Sequence, residues 1–206
     1  MHSLNLESAL LNVLLLWILT APHEFAHAWV ATRLGDDTPR LQGRVTLNPM
    51  AHVDWLGTTI LPLVTSLFGG GFIGWGKPVF SNPAKLRGGL NGLALVALAG
   101  PASNVVFAVI LAMVARMTVN FAPFLARFAA HGVNLSLYLA IFNMLPVPPL
   151  DGSKLLLAAR VPAVIYNELA RAGFLLLIVV VSFSDLGRWM AQWSYAGTEQ
   201  IFGLLR

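Results

Sequence analysis

The chain contains no cysteine. That excludes disulfides and any thiolate-ligated metal site. Charge is also scarce, at 11% of 206 residues, against about 25% in a soluble domain. No stretch is polar enough to stand alone as a soluble domain. The 13 Lys and Arg are scattered and form no basic stripe interleaved with aromatics, which excludes nucleic acid as a partner. The opening "MHSLNLES" has no Lys or Arg, although a signal peptide begins with a basic region. The apolar run after it also continues to about Leu34, long enough to span a bilayer. There are no internal repeats, no low-complexity segment and no linker.

What remains is 57% hydrophobic, the composition of a membrane-embedded chain. Five apolar segments are expected, at about 8–34, 56–75, 90–117, 133–157 and 172–183. The fourth is interrupted by "NMLPVPPLDG". The tail, 186–206, places Trp189, Trp193, Phe202 and other apolar residues among polar ones, as an interfacial or re-entrant helix does. Trp75, Trp189 and Trp193 read as interfacial anchors. β-Branched residues between Gly and Asn-Pro predict short strands over 42–48 and 74–80, at the membrane face or lining a cavity, since open edges do not face lipid. The expected fold is thus an all-α polytopic membrane protein of five to six segments with a small β element. It forms a single domain over 1–206, with a core at about 8–160 and a C-terminal segment and amphipathic tail at 161–206.

Inside the first segment lies "HEFAH". Residues four apart share a helix face, so His23 and His27 can hold one metal ion, and Glu24 can reach a water beside it. This is the H-E-x-x-H pattern of zinc hydrolases, with the Glu as general base. An intramembrane Glu with two His is costly unless it has a function. Zinc needs a third protein ligand and an open fourth position. His2, His52, His131 and most acids fall in expected loops. Asp151 instead follows three prolines that break the fourth segment, and broken helices at membrane depth line cavities. Asp151 is therefore the favoured oxygen ligand, and it could at the same time cap the helix that starts at Ser153. Lys154, one turn on, would partly compensate its charge. In "AGPASN", Gly100 allows close backbone approach and Pro101 frees a carbonyl. Asn104 could donate to an oxyanion, or all of these could serve helix packing. His52 and Asp54, in "NPMAHVD", read as turn hydrogen-bonding groups.

These motifs resemble the site-2 protease family of intramembrane zinc metalloproteases. HEFAH matches the family's HExxH, "NMLPVPPLDG" its N-x-x-P-x-x-x-L-D-G, and "GPASN" its G-P-x-x-N, in that order from His23 to Gly152. "GRVTLNPMAHVDWLG" and "GWGKPV" are similar to compact members. The resemblance implies one zinc held by His23, His27 and Asp151, with Glu24 activating water. It implies that Asn104 stabilises the oxyanion or positions substrate, with Asn143, Gly100 and Pro101 on the substrate side. Many relatives carry PDZ or CBS domains, and this sequence contains neither. The implied partners are membrane-spanning protein substrates and the bilayer itself. The implied location is a prokaryotic plasma membrane, with multiple passes. The two strands would receive an unwound substrate segment by β-augmentation. The rival readings are a metal-ion transporter, since intramembrane His and Asp also mark ion paths, and a catalytically silent relative, which would have lost Glu24 or a ligand.

His27 lies eight residues before Gly35, about 12 Å along a helix, and His23 about 18 Å. The metal would then sit within the bilayer, nearer the loop that carries Arg40 and Arg44. Positive-inside reasoning puts that loop in the cytoplasm, with Lys77, Lys85 and Arg87 expected on the other side.

Overall fold

The computed structural model describes residues 6–67 and 74–205. The first helix, α1 (Leu6–Arg33), has 28 residues and is about 42 Å long. Pro22 lies inside it and removes one backbone donor just ahead of His23. Its end is set by Gly35 at φ +104°. The Gly35 amide bonds the Thr32 carbonyl and the Asp36 amide the Ala31 carbonyl, the paired closure that a left-handed glycine permits.

Asp36 is fully buried and ties two loops to this helix end. Its carboxylate accepts from the Thr38 amide at 3.0 Å and the Asn82 amide at 2.6 Å. Burial alone would raise its pKa, but the bonds from Thr38 and Asn82 outweigh that and hold it below the ordinary 3.8. A carboxyl lowered in the folded state adds stability above its unfolded pKa and loses it as pH falls through the folded one. Asp36→Asn is thus expected to cost about 2 kcal/mol near neutrality, where charged hydrogen bonds contribute. That cost should fade below about pH 4, as thermal melts of both proteins across pH would register.

After α2 (Thr38–Leu41) and a 3-10 turn at Pro49–Ala51, the chain enters a π-helical segment, Trp55–Ile60, that continues into α3 (Leu61–Leu67). Asp54 caps this start, accepting from the Gly57 amide at 2.7 Å, and His52 bonds the Thr46 carbonyl at 2.8 Å. Both act as turn groups, as their sequence context suggested.

Of the second apolar segment, 68–73 lie outside the described residues. Its two ends meet, with the Trp75 amide on the Gly57 carbonyl and the Lys77 amide on the His52 carbonyl. Residues 74–80 then run as an extended strap along α1. A side chain at Gly74 would come within 3.0 Å of Leu16, and one at Gly76 within 2.5 Å of Thr20. Glycine is needed there because the strap backbone lies directly on the helix ridge. Lys77, Lys85 and Arg87 therefore lie at the same end as Arg33, Arg40 and Arg44, not opposite them. The Arg87 amide bonding the Leu34 carbonyl at 2.8 Å shows this directly.

Neither expected strand forms, and no strand occurs among the described residues. In 42–48, Gly43 adopts φ +67°, and the Arg44 and Thr46 amides are taken by the Pro39 and Arg44 carbonyls. Local turns have consumed the groups a ladder would need. The strap is extended, but its partners are loop carbonyls and side chains, with no neighbouring strand.

α4 (Leu90–Thr118) and α5 (Pro123–Asn143) form an antiparallel pair, and α1 packs against both. Leu15, Leu19 and Leu135 form a buried cluster with Phe107 and Leu111. Gly132 of α5 lets Leu111 and Leu15 close in, since a Cβ there would stand 2.9 and 3.1 Å from them. Three helices among the described residues, α1, α4 and α5, are long and apolar enough to cross a membrane. The prolines after Asn143 end α5. The short helix α6 (Asp151–Ala158) starts the next run and packs on α4. α7 (Ala163–Phe183) is longer than the expected 172–183. α8 (Leu186–Leu204) buries Met190 and Ser194 and leaves Trp189 and Trp193 exposed. It packs along α5, where Asn134 donates to Ser194 at 3.1 Å.

Candidate active site

The helical spacing of HEFAH turns His23 and His27 the same way, with ring centroids 4.7 Å apart. The break after α5 delivers Asp151 to them from 124 residues away in sequence. His23 Nε2 and His27 Nε2 lie 3.1 and 3.0 Å from Asp151 Oδ2, and 3.1 Å from each other. All three residues are buried.

The chemistry of these atoms tests their fit to a metal. His27 Nδ1 lies 2.6 Å from the Val96 carbonyl. A carbonyl only accepts, so Nδ1 carries the proton, and in the neutral ring Nε2 presents a lone pair. That lone pair faces a carboxylate oxygen and a second imidazole nitrogen. Two electron-rich atoms, His27 Nε2 and Asp151 Oδ2, face each other at 3.0 Å in a buried site with the His23 nitrogen 3.1 Å from each, a set that fits a cation between them. Four-coordinate zinc with bonds of about 2.0–2.1 Å separates its ligands by about 3.3–3.4 Å, within a few tenths of an ångström of these spacings.

Gly100 keeps the space beside the ligands open. A Cβ there would run into His27 Nε2 and lie 2.6 Å from His23 Cε1. Gly100→Ala is therefore expected to lower zinc affinity by on the order of tenfold or more, as disturbing ligand orientation does. Metal titration of the purified variant reads this directly. Asp151 is also the first residue of α6. Its second oxygen, Oδ1, accepts from Lys154 Nζ at 2.9 Å, the charge compensation anticipated for that lysine.

Glu24 is 8% exposed, and its Oε2 accepts from the Val79 amide of the strap at 3.1 Å. Among the described residues Oε1 has no hydrogen-bond partner. A cavity of about 170 Å³ opens over the cluster. It is lined by the strap, through Gly74, Trp75, Gly76, Pro78 and Val79, and by Asn143 and Pro149–Asp151. Asn104 lines it too, 1% exposed, with its Oδ1 buried and unpartnered among the described residues. Asn143 lines the cavity while its amide donates to the Leu139 carbonyl at 2.9 Å. Pro101 is buried in α4, one residue behind the Gly100 opening. Trp75 is half-buried. Its indole lies flat over Gly57 and meets Phe174 of α7 edge-on at 5.8 Å.

Three groups were not assigned to this site from the sequence: the Val79 amide, the Val96 carbonyl and the Arg44 guanidinium, which was read only as a loop cation. The first two are backbone atoms and carry no residue signal. Arg44 shares its loop with Arg40, Asp36 and Asp37, and nothing in that stretch singles it out. Its Nη2 donates to the Lys77 carbonyl and lies 3.9 Å from Glu24 Oε2. His52 beside it is held below its ordinary 6.5, first by burial and also by the Arg44 charge, against the opposing Thr46 hydrogen bond. Its ring is therefore neutral at pH 7.

A buried His–His–Asp cluster, with a carboxylate next to the first imidazole and a cavity above, is the donor arrangement of a zinc-dependent hydrolase. Proteins of similar sequence carry names of this class. The chain is 38% identical over 174 residues to "Putative zinc metalloprotease YwhC" of Bacillus subtilis, covering 77% of this chain and 74% of that protein. It is 32% identical over 186 residues to "Putative zinc metalloprotease Rip2" of Mycolicibacterium smegmatis, covering 87% and 70%. The Mycobacterium tuberculosis protein of the same name is 34% identical over 135 residues, covering 63% and 49%. No family model and no solved structure matches the chain. The chain belongs to the site-2 protease family of zinc metalloproteases.

Proposed function

We propose that this protein is an intramembrane endopeptidase that hydrolyses peptide bonds in or next to the transmembrane helices of other proteins. The observation that carries this reading is the location of the cluster. His23, His27 and Asp151 sit inside a bundle of membrane-length helices, under a cavity walled by an extended strap.

His23, His27 and Asp151 would hold one zinc ion. When bound, it would supply Lewis acidity to the scissile carbonyl and to the attacking water. Glu24 takes the proton of that water and returns it to the leaving amine. Its Oε2 is anchored by the Val79 amide, which leaves Oε1 for the proton. Asn104 faces the same cavity with a buried amide, placed to donate to the oxyanion that forms on the carbonyl. Asn143, which lines the same cavity, positions the substrate, and Gly100 leaves room for it beside the ligands. A helical substrate hides its carbonyls in hydrogen bonds, so it must unwind before it enters. The cavity lined by the strap and by the 143–151 break is where the unwound segment would lie.

The end of the bundle nearest the site carries Arg33, Arg40, Arg44, Lys77, Lys85 and Arg87. The far end carries Arg116, at the end of α4, and Arg127, near the start of α5. By the positive-inside rule the site end is cytoplasmic, in a prokaryotic plasma membrane. The test is product mapping. Purified protein in liposomes, given single-span substrates, is expected to cut within or at the edge of the span. Mass spectrometry that places every cut in distant soluble segments would refute intramembrane proteolysis.

A further inference from the structure

We propose that Arg44 is a positioning residue of the proteolytic step: its guanidinium ties the 74–80 strap across the site and sets a positive charge beside Glu24. The inference rests on the endopeptidase reading.

Arg44 is 5% exposed, and a guanidinium is costly to bury unless it is paired and hydrogen-bonded. The pairing here is incomplete. Nη2 donates to the Lys77 carbonyl. The same nitrogen is 3.9 Å from Glu24 Oε2, close enough for charge attraction but too far for a hydrogen bond. Nε is buried with no partner among the described residues. A residue kept buried on such terms by a fold made mostly of hydrocarbon is doing more than filling space.

The geometry around it explains what. Lys77 is gripped at both backbone atoms, its amide by the His52 carbonyl at 2.8 Å and its carbonyl by Arg44. Two residues later the Val79 amide bonds Glu24 at 3.1 Å. Pro78, between them, has no amide to give. One guanidinium therefore sits at the junction of the cleft wall and the catalytic carboxylate. It fixes the strap at Lys77 so that Val79 meets Glu24, and it attracts the same carboxylate oxygen electrostatically. His52, neutral and hydrogen-bonded to Thr46, adds no charge of its own. Without Arg44 the strap would loosen at Lys77, and Glu24 would lose the amide and the charge that orient it.

The test compares Arg44→Lys and Arg44→Gln with wild type, as purified full chains. Gln retains a neutral donor for the Lys77 carbonyl, and Lys retains the charge. Arg44→Gln is expected to lose about 10²-fold in kcat, the cost of a misplaced catalytic group, with KM changed less than kcat and zinc per chain unchanged. Arg44→Lys should recover at least about tenfold of that loss, because a cation near the carboxylate is retained. Hydrogen exchange gives a readout independent of turnover. The Lys77 and Val79 amides should exchange faster in Arg44→Gln, while α4 peptides stay unchanged. Wild-type kcat in Arg44→Gln, unchanged exchange in the strap, or a Gln variant equal to the Lys variant would overturn the proposal. If Arg44→Gln does not fold, Arg44→Lys decides alone, with reduced kcat at unchanged zinc expected and wild-type kcat overturning it. If wild type itself cuts no substrate, the endopeptidase reading fails with it, and the exchange result then reports only whether Arg44 ties the strap.

Discussion

Glu24→Gln is expected to keep about one zinc per chain and to lose on the order of 10²–10⁴ in cleavage rate, the range that general acid–base catalysis contributes. The reasoning is geometric. Glu24 is not one of the three atoms that converge at the ligand cluster, so an isosteric amide leaves the donor set intact. Among the described residues it does remove the one carboxylate besides Asp151 that lines the cavity. A Gln side chain can still accept from the Val79 amide through its carbonyl oxygen, so the strap should remain in place. Loss of metal from Glu24→Gln would mean that this carboxylate belongs to the ligand set, contrary to the roles assigned here. Full activity would mean that another group takes the proton.

Asp151→Ala is expected to fail at the earlier step. Its Oδ2 meets both imidazoles at 3.0–3.1 Å, and its Oδ1 holds Lys154 at 2.9 Å. Removing it deletes the single oxygen ligand and leaves the Lys154 charge uncompensated beside a divalent site. Zinc affinity should fall by more than the roughly 10–100-fold that loss of an outer hydrogen-bond partner costs, and cleavage should fall with it. The two variants separate binding from chemistry, one losing activity with its metal and the other losing activity while keeping it. Metal analysis and a cleavage assay on the same samples check both.

The long helices were legible because hydrocarbon composition over 20 or more residues has one solution in a bilayer. The expected 8–34 and 90–117 became Leu6–Arg33 and Leu90–Thr118, with Gly35 and Gly89 marking the boundaries. The segment at 56–75 was misread for the same reason. It is apolar enough to suggest a crossing, but its path is set by Trp75 on Gly57 and Lys77 on His52, contacts that no local pattern encodes. The same misreading sent Lys77, Lys85 and Arg87 to the wrong end. Strand composition at 42–48 yielded to Gly43 and the turn bonds around it. In the site, His23, Glu24 and His27 stood out through spacing, and Asp151 through its proline-broken context. The groups that orient them, Val79, Val96 and Arg44, are brought in by the strap, by α4 and by the loop after α2. Those are long-range consequences of the fold.

The most direct measurement is zinc-edge X-ray absorption on the purified wild-type chain, together with its zinc stoichiometry. About one zinc per chain is expected, with only nitrogen and oxygen neighbours near 2.0–2.1 Å and the outer-shell signature of two imidazoles. A chain that binds no zinc, or binds it without two imidazoles, would contradict the assignment of His23, His27 and Asp151 as its ligands.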